Sequence, residues 1–466
     1  MSIAIHALLA TGRAGGHPVY HDGERFVPWR EFAALAAARA GRLARRPERR
    51  WLLASEAPQD FAAWLLALLQ AGKTPVIPPN ALPGTLERLA GCYDAIAGAD
   101  AEAGDAPPFA AAAFDARAAH LELFTSGSAG EPKRVPKTLA QFEAEVAAQE
   151  ARWGAQLGDA AIVSTSPHQH IYGLLFRLFW PLSAGRPFDA MTCAQPDALA
   201  DRLARLGAAR GCALVSSPAQ LSRLPELIPL GSLRPAPRLI FSSGGPLPAA
   251  AAAEFHRQLG SAPTEIYGST ETGGVAWRRQ EGGAAGDAWT PLPGICVSAA
   301  PDGALALRSP FVADGAPWRM DDAVEMLADG RFRLRGRLDR TVKIEDKRLS
   351  LADLEARLGE HAWVAAAAAV ALAGRRQSVG VALVLNARGR EQLAARGRAA
   401  VAQQLRRHLA AFYEKVLLPR RWRFPERLPF DQRGKLPQAA LAALFAAAND
   451  ESAPAPRARR KPRGRP

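Results

Sequence analysis

Two loops carry the side chains best suited to chemistry in this chain. In LELFTSGSAGEPKRVPKT, residues 121–138, an apolar run gives way to Thr125, Ser126, Gly127, Ser128 and Gly130 and ends in Lys133. Glycines let backbone N–H groups approach an oxyanion closely and the hydroxyls add donors, so such a loop can wrap phosphates. It is not the common nucleotide loop GxxxxGK[ST]: Pro132 precedes Lys133 and Arg134 follows it, which removes the main support for a kinase or ATPase of that kind. In IYGSTETGG, residues 266–274, Tyr267 offers a flat face to a purine and Gly268 leaves room beside it. Thr270 can donate to a phosphate oxygen there, and Glu271 is a hard oxygen ligand suited to Mg²⁺.

The elements that must hold these loops alternate between helix and strand, the pattern of an α/β fold. FAAWLLALLQ (61–70) reads as a buried helix stopped at Gly72 and followed by a short strand that ends at prolines. Thr138 with Gln141 three residues on forms a capping box opening a helix, with Gly154 as its expected stop. LIFSSGG (239–245) and TEIYGSTE (264–271) are apolar strands that break into small, glycine-bearing loops, where α/β sheets hold their ligands. After about Asp339 the composition changes. Residues 331–344 alternate like a hairpin, Ser350 caps a helix, two strand-like runs follow, and an amphipathic helix covers much of 391–416. The reading is a large domain over 1–338, a small α+β domain over 339–448 and a disordered basic tail over 449–466.

In their order, the two loops, GRLDRTVKIEDKRL (336–349) and LPFDQRGKL (428–436) closely resemble the adenylate-forming superfamily of acyl-CoA synthetases, peptide-synthetase adenylation domains and luciferases. The resemblance implies a large ATP-binding domain of two sheets and a small barrel packed with helices, joined by a hinge to a small mobile domain. It assigns Thr125, Ser126, Gly127, Ser128, Gly130 and Lys133 to the phosphate loop. Gly244 and Gly245 would face the adenine opposite Tyr267, beside Gly268, while Thr270 and Glu271 would hold the α-phosphate and magnesium. Asp322 takes the place of the ribose-binding aspartate, Arg337 that of the arginine before the hinge, and Asp339 that of the hinge residue. His170 falls beside the acid pocket. Lys435 is the expected catalytic cation: a carboxylate attacking the α-phosphate of ATP brings two anions together, and an ammonium must neutralise them at that moment.

Three positions depart from the family pattern. Ala129 stands in place of a second threonine, Met320-Asp321 in place of Thr-Gly, and Asp346 where glycine is common. In the resemblance the Asp346 loop lines the thiol's path, where a carboxylate would repel an anionic cosubstrate. Substrate choice is narrowed by a second resemblance. The N-terminal portion and residues 416–445 are similar to stand-alone ligases of aryl-polyene and xanthomonadin-like pigment clusters, which load a hydroxybenzoate-type acid onto an acyl carrier protein. The expected function is therefore activation of a small carboxylic acid as acyl-AMP, with ATP and Mg²⁺, and transfer to the phosphopantetheine thiol of an acidic carrier protein. Transfer to free CoA, by a fatty or aromatic acyl-CoA synthetase, is the alternative within the class. Outside the class stands a non-catalytic binding module, against which Glu271 and Lys435 argue.

Bulk properties agree. The 466 residues are 48% hydrophobic and carry a formal charge of +14, partly in a tail where arginine and lysine alternate with proline, alanine and glycine. That balance suits an acidic partner, but no aromatic residue interleaves the tail, so no specific nucleic-acid partner is expected. The four cysteines form no C-x-x-C pair, and the longest apolar run falls short of the ~20 residues that span a bilayer. With no signal-like start, a cytoplasmic protein without a membrane span is expected.

Overall fold

The computed structural model describes residues 2–98, 109–126, 132–193, 195–281, 286–313, 317–337, 341–345, 347–372, 377–429, 436 and 438–446. They group into two compact units that divide between Arg348 and Leu349. The first is built on two α/β sheets. The larger, of nine strands among the described residues, runs in the order Thr290–Pro291, Gly273–Arg278, Thr264–Ser269, Ile240–Ser243, Cys212–Ser216, Ala161–Ser164, Phe188–Thr192, Pro18–His21 and Phe26–Pro28. From Thr264–Ser269 through Pro18–His21 all neighbours are parallel, and antiparallel strands close both edges. The smaller sheet orders Ala95–Ile96, Arg50–Leu52, Thr74–Ile77, His120–Ser126 and Pro132–Thr138, the last two an antiparallel hairpin. In the part of the chain that the small barrel was expected to occupy, the described residues form a four-stranded antiparallel sheet from Cys296–Ala299 to Phe332–Arg337, with register shifts that strengthen its twist.

Local chemistry explains the helices that hold these sheets. Helix Pro58–Gln70 starts with proline at its first turn and is buried on nearly every face from Phe61 to Leu69, so it forms a wall inside the core. Helix Leu139–Leu157 opens with the expected capping box. The Gln141 N–H donates to Thr138 Oγ1 at 3.3 Å, and the Thr138 N–H donates to Gln141 Oε1 at 2.9 Å. Its end corrects the sequence reading: the helix continues through Gly154 to Leu157 and is closed by Gly158. Gly154 is there because a Cβ would lie 2.5 Å from the Glu150 carboxyl carbon. That carboxylate folds over the glycine to accept hydrogen bonds from Arg186 at 2.6 and 3.0 Å and from the Trp180 indole at 2.7 Å.

The second unit closes its own apolar core around Ala368, Val370, Leu372, Ala382, Leu428, Leu441 and Phe445. Strands Val364–Leu372 and Ser378–Leu385 pair antiparallel, and Arg421–Arg423 adds to the second in parallel. Ser350 caps helix Leu351–Gly359 by accepting from the Asp353 N–H at 3.1 Å. Two expectations change here. Residues 331–344 are not one hairpin, because Phe332–Arg337 pairs back onto Trp318–Met326 while Thr341–Ile344 pairs forward onto Lys347–Ser350. The long helix begins earlier, at Ala387 behind an Asn386 cap, and ends at Leu409, with Gly397 at φ 75° breaking it. No described helix is long and apolar enough to cross a membrane.

Candidate active site

The strands that flank the first loop and the whole of the second lie in the first unit, and a contact between Lys133 and Glu271 joins them. In the hairpin His120–Ser126/Pro132–Thr138, Thr125 stands opposite Lys133. Lys133, with 56% of its side chain exposed, donates to Glu271 Oε1 at 2.9 Å across 138 residues of sequence, while Glu271 is only 13% exposed. Burial acts to raise the Glu271 carboxyl, but the Lys133 ammonium and nearby positive charge outweigh it, so the group titrates below the usual carboxylate range. Gly127, Ser128 and Gly130 lie outside the described residues, as do Asp339, Asp346, Lys435 and the side chains of Ser126 and Arg337.

The Glu271 loop is tightly made. A Cβ on Gly268 would lie 2.1 Å from the Gly273 carbonyl oxygen, so the two arms approach backbone to backbone. Between them, the Ser269 N–H donates to Thr272 Oγ1 at 3.1 Å and the Thr272 N–H to Ser269 Oγ at 3.2 Å, leaving Thr270 half-buried at the turn. Tyr267 is buried, its ring 5.5 Å from that of Trp289 and 6.0 Å from that of Phe332. Its hydroxyl donates to Asp322 Oδ2 at 2.8 Å, and Asp322 stands opposite Arg337 in the four-stranded sheet. Tyr267 and Asp322 thus meet, as do Lys133 and Glu271.

Gly244 and Gly245 follow strand Ile240–Ser243, which neighbours Thr264–Ser269 in parallel. Gly244 has φ 95°, a conformation that favours glycine, and the Ser243 hydroxyl donates to the Ile266 carbonyl at 2.9 Å. Glu265 anchors the far end of this turn: it accepts from the Leu247 N–H at 2.9 Å and pairs with Arg278 at 2.8 Å. His170 is half-buried at the cap of the short helix Ile171–Gly173. The fully enclosed histidine is His168, whose Nε2–H donates to the Ser55 carbonyl at 2.9 Å and whose ring packs edge-on against Phe61 at 4.6 Å.

Sequence reasoning missed Glu265, His168, Lys137 and Glu145. Lys137 is buried and donates to the carbonyl oxygens of Glu271 at 2.9 Å and Phe311 at 2.8 Å. Glu145, equally enclosed, accepts from the Gly274 N–H at 2.8 Å. Burial lowers the Lys137 ammonium and raises the Glu145 carboxyl, each drawn partly back by the other's charge. A signal existed for Lys137: it lies four residues beyond Lys133 on one strand, hence on the same face.

Comparison with known proteins bears on what this geometry serves. A family model described as AMP-binding enzyme matches residues 89–299. A 4-coumarate–CoA ligase of Rhodobacter capsulatus is 30% identical over 332 residues, covering 69% of this chain and 77% of the ligase. The chain belongs to the AMP-binding, adenylate-forming family. Solved structures share the fold of this adenylate-forming enzyme. The amide bond synthetase McbA from Marinactinospora thermotolerans superposes with a TM-score of 0.80 at 20% identity, covering 95% of this chain and all (100%) of McbA. A malonyl-CoA ligase with methylmalonyl-CoA and AMP bound does so with a TM-score of 0.73 at 23% identity, over 92% of this chain and 100% of the ligase.

Magnesium fits the donor set. Among the described residues no group of three or more His, Cys, Asp or Glu side chains could cage a metal, but Mg²⁺ is commonly bound by one or two carboxylates with substrate phosphates and water, and the Glu271 carboxylate is of the kind that would serve.

Proposed function

We propose that this adenylate-forming enzyme activates a small aryl carboxylic acid with ATP and passes the acyl group to the phosphopantetheine thiol of an acyl carrier protein. In the first half-reaction a carboxylate oxygen bonds to the α-phosphorus, the bond to the bridging oxygen breaks, and pyrophosphate leaves. In the second, a thiolate attacks the acyl carbon and AMP leaves. The carrying observation is the contact of Lys133 with Glu271, which brings the phosphate-loop hairpin and the Glu271 loop to one place. Bound Mg²⁺ would neutralise phosphate charge there. Thr125, Lys133 and Thr270 would hold phosphate oxygens, and Asp322, oriented by Tyr267, would take the ribose hydroxyls. Gly244 and Gly245 would pass beside the adenine, and His170 would border the acid.

Lys435 is assigned the cation that bridges carboxylate and α-phosphate. Removing one such preorganised donor costs about 3 kcal/mol of barrier. Rotation about Asp339, between a domain over 1–338 and one over 339–448, would exchange Lys435 for the Asp346 loop before thiol attack. The aryl acid rests on the resemblance to pigment-cluster ligases. A carrier protein is favoured over CoA by the carboxylate at 346 and by the net charge of +14, which attracts an acidic partner in the cytoplasm.

Free CoA as acceptor is the second reading, and the likeness to a 4-coumarate–CoA ligase favours it. Pyrophosphate release with a panel of aryl and alkyl acids, with CoA and a holo carrier protein compared as acceptors, decides between them. The reading predicts release with an aryl acid and faster acyl transfer to the carrier. Absence of acid-dependent release across the panel would sink it, and faster transfer to CoA would replace it with the second.

A further inference from the structure

Lys133 and Lys137 share one face of strand Pro132–Thr138 and both reach Glu271, by different atoms. Lys133 meets the carboxylate at 2.9 Å, whereas Lys137 meets the backbone carbonyl at 2.9 Å and ties it to the Phe311 carbonyl at 2.8 Å. At the other end of the same loop Glu145 accepts from the Gly274 N–H at 2.8 Å. Its second carboxylate oxygen fills the space in which a Cβ on Gly273 would lie, 2.2 Å away. Residues 271–274 are therefore held at both ends by two buried polar side chains eight positions apart in sequence, one on the strand and one on the helix that follows it.

Such an arrangement needs a reason. Burying an ammonium and a carboxylate is costly, and apolar side chains of similar volume commonly stabilise a core equally well. What apolar side chains cannot do is fix a carbonyl and an N–H of a particular loop. We propose that Lys137, together with Glu145, is a positioning residue for adenylation, fixing the backbone at Glu271 so that its carboxylate is presented to the metal-bound nucleotide. This rests on the reading of Glu271 as the magnesium-side ligand given above.

The test uses the full-length protein and the variants Lys137→Met, Lys137→Arg and Glu145→Ala. Acid-dependent ATP–pyrophosphate exchange is measured against free Mg²⁺, ATP and acid, and amide hydrogen exchange of a peptide spanning 266–275 is followed in the nucleotide-free protein. In Lys137→Met, kcat should fall about 30-fold and half-saturating Mg²⁺ should rise several-fold while KM for the acid stays within about 2-fold, the split expected when a group acts through another. Loop protection should fall about 10-fold in the same variant. Lys137→Arg, which can still donate to both carbonyls, should recover most of each effect.

Wild-type exchange, Mg²⁺ dependence and loop protection in Lys137→Met would overturn the proposal. So would a loss of thermal stability without the Mg²⁺ shift. Should Lys137→Met not fold, Glu145→Ala decides: the Mg²⁺ shift and lost protection support the brace, and their absence overturns it. If the wild-type protein shows no acid-dependent exchange, the functional reading fails separately, and the protection measurement still judges whether the brace holds the loop.

Discussion

Tyr267 donates its phenolic proton to Asp322 at 2.8 Å, joining the strand that leads into the Glu271 loop to the four-stranded sheet. The two residues are distant in sequence, and the fold makes one the orienting partner of the other. Tyr267→Phe keeps the ring packed against Trp289 and Phe332 and removes the hydroxyl that makes this bond, along with its longer contact to Met320 Sδ at 3.5 Å. KM for ATP should rise about 3- to 10-fold, with kcat changed less than about 2-fold, as expected for loss of roughly 1 kcal/mol of uniform binding. Initial rates at varied ATP check it, and a change confined to kcat would count against Asp322 as a ribose contact.

Gly268→Ala addresses the closeness of the two arms of that loop. The added methyl would lie 2.1 Å from a backbone oxygen with no flexible side chain to give way, so the strands must part. A loss of about 3 kcal/mol or more in urea unfolding is expected, together with loss of activity. A variant of wild-type stability would mean that the arms separate easily.

His168 gives a pH dependence with a definite sign. Burial, with the charges of Arg177 and His170, pulls its imidazole down to about 4, against the pull of its bond to the Ser55 carbonyl. The folded form therefore keeps His168 neutral while the unfolded chain, titrating near 6.5, takes up a proton. Stability contributed by this group is fully present above about pH 6.5 and is lost as pH falls toward about 4, by roughly 3 kcal/mol in all. His168→Gln should flatten the urea midpoint across that window, and an unchanged slope would assign the dependence to other groups.

Lys435→Ala tests the exchange of roles between the two half-reactions. Acid-dependent pyrophosphate exchange should fall about 10²- to 10³-fold, while thioester formation from supplied acyl-adenylate stays largely intact. Equal loss in both assays would argue against a swap about Asp339.

What the sequence made legible was local. Thr138 and Gln141 sit three residues apart and cap the same helix, so their pattern needs no tertiary knowledge. Gly154 misled because glycine in a helical run reads as a stop, whereas the space it leaves is taken by Glu150, held by Arg186 far along the chain. Lys137 and Glu145 look like ordinary surface charges in PKTLAQFEAE; their partners, the carbonyls of Glu271 and Phe311 and the N–H of Gly274, are backbone atoms with no signature in residue type. The histidines show the same limit. The family pattern draws attention to His170, and only packing against Phe61 and Ser55 distinguishes His168.

Each unit encloses its own apolar cluster, and the consequence is spectroscopic. Eight of the ten tryptophans precede residue 349, and only Trp363 and Trp422 follow it. Intrinsic fluorescence thus reports mainly on melting of the larger unit, and a single midpoint drawn from it says little about the smaller. Backbone circular dichroism sees both, so disagreement between the two signals would mark two separate transitions rather than a faulty preparation.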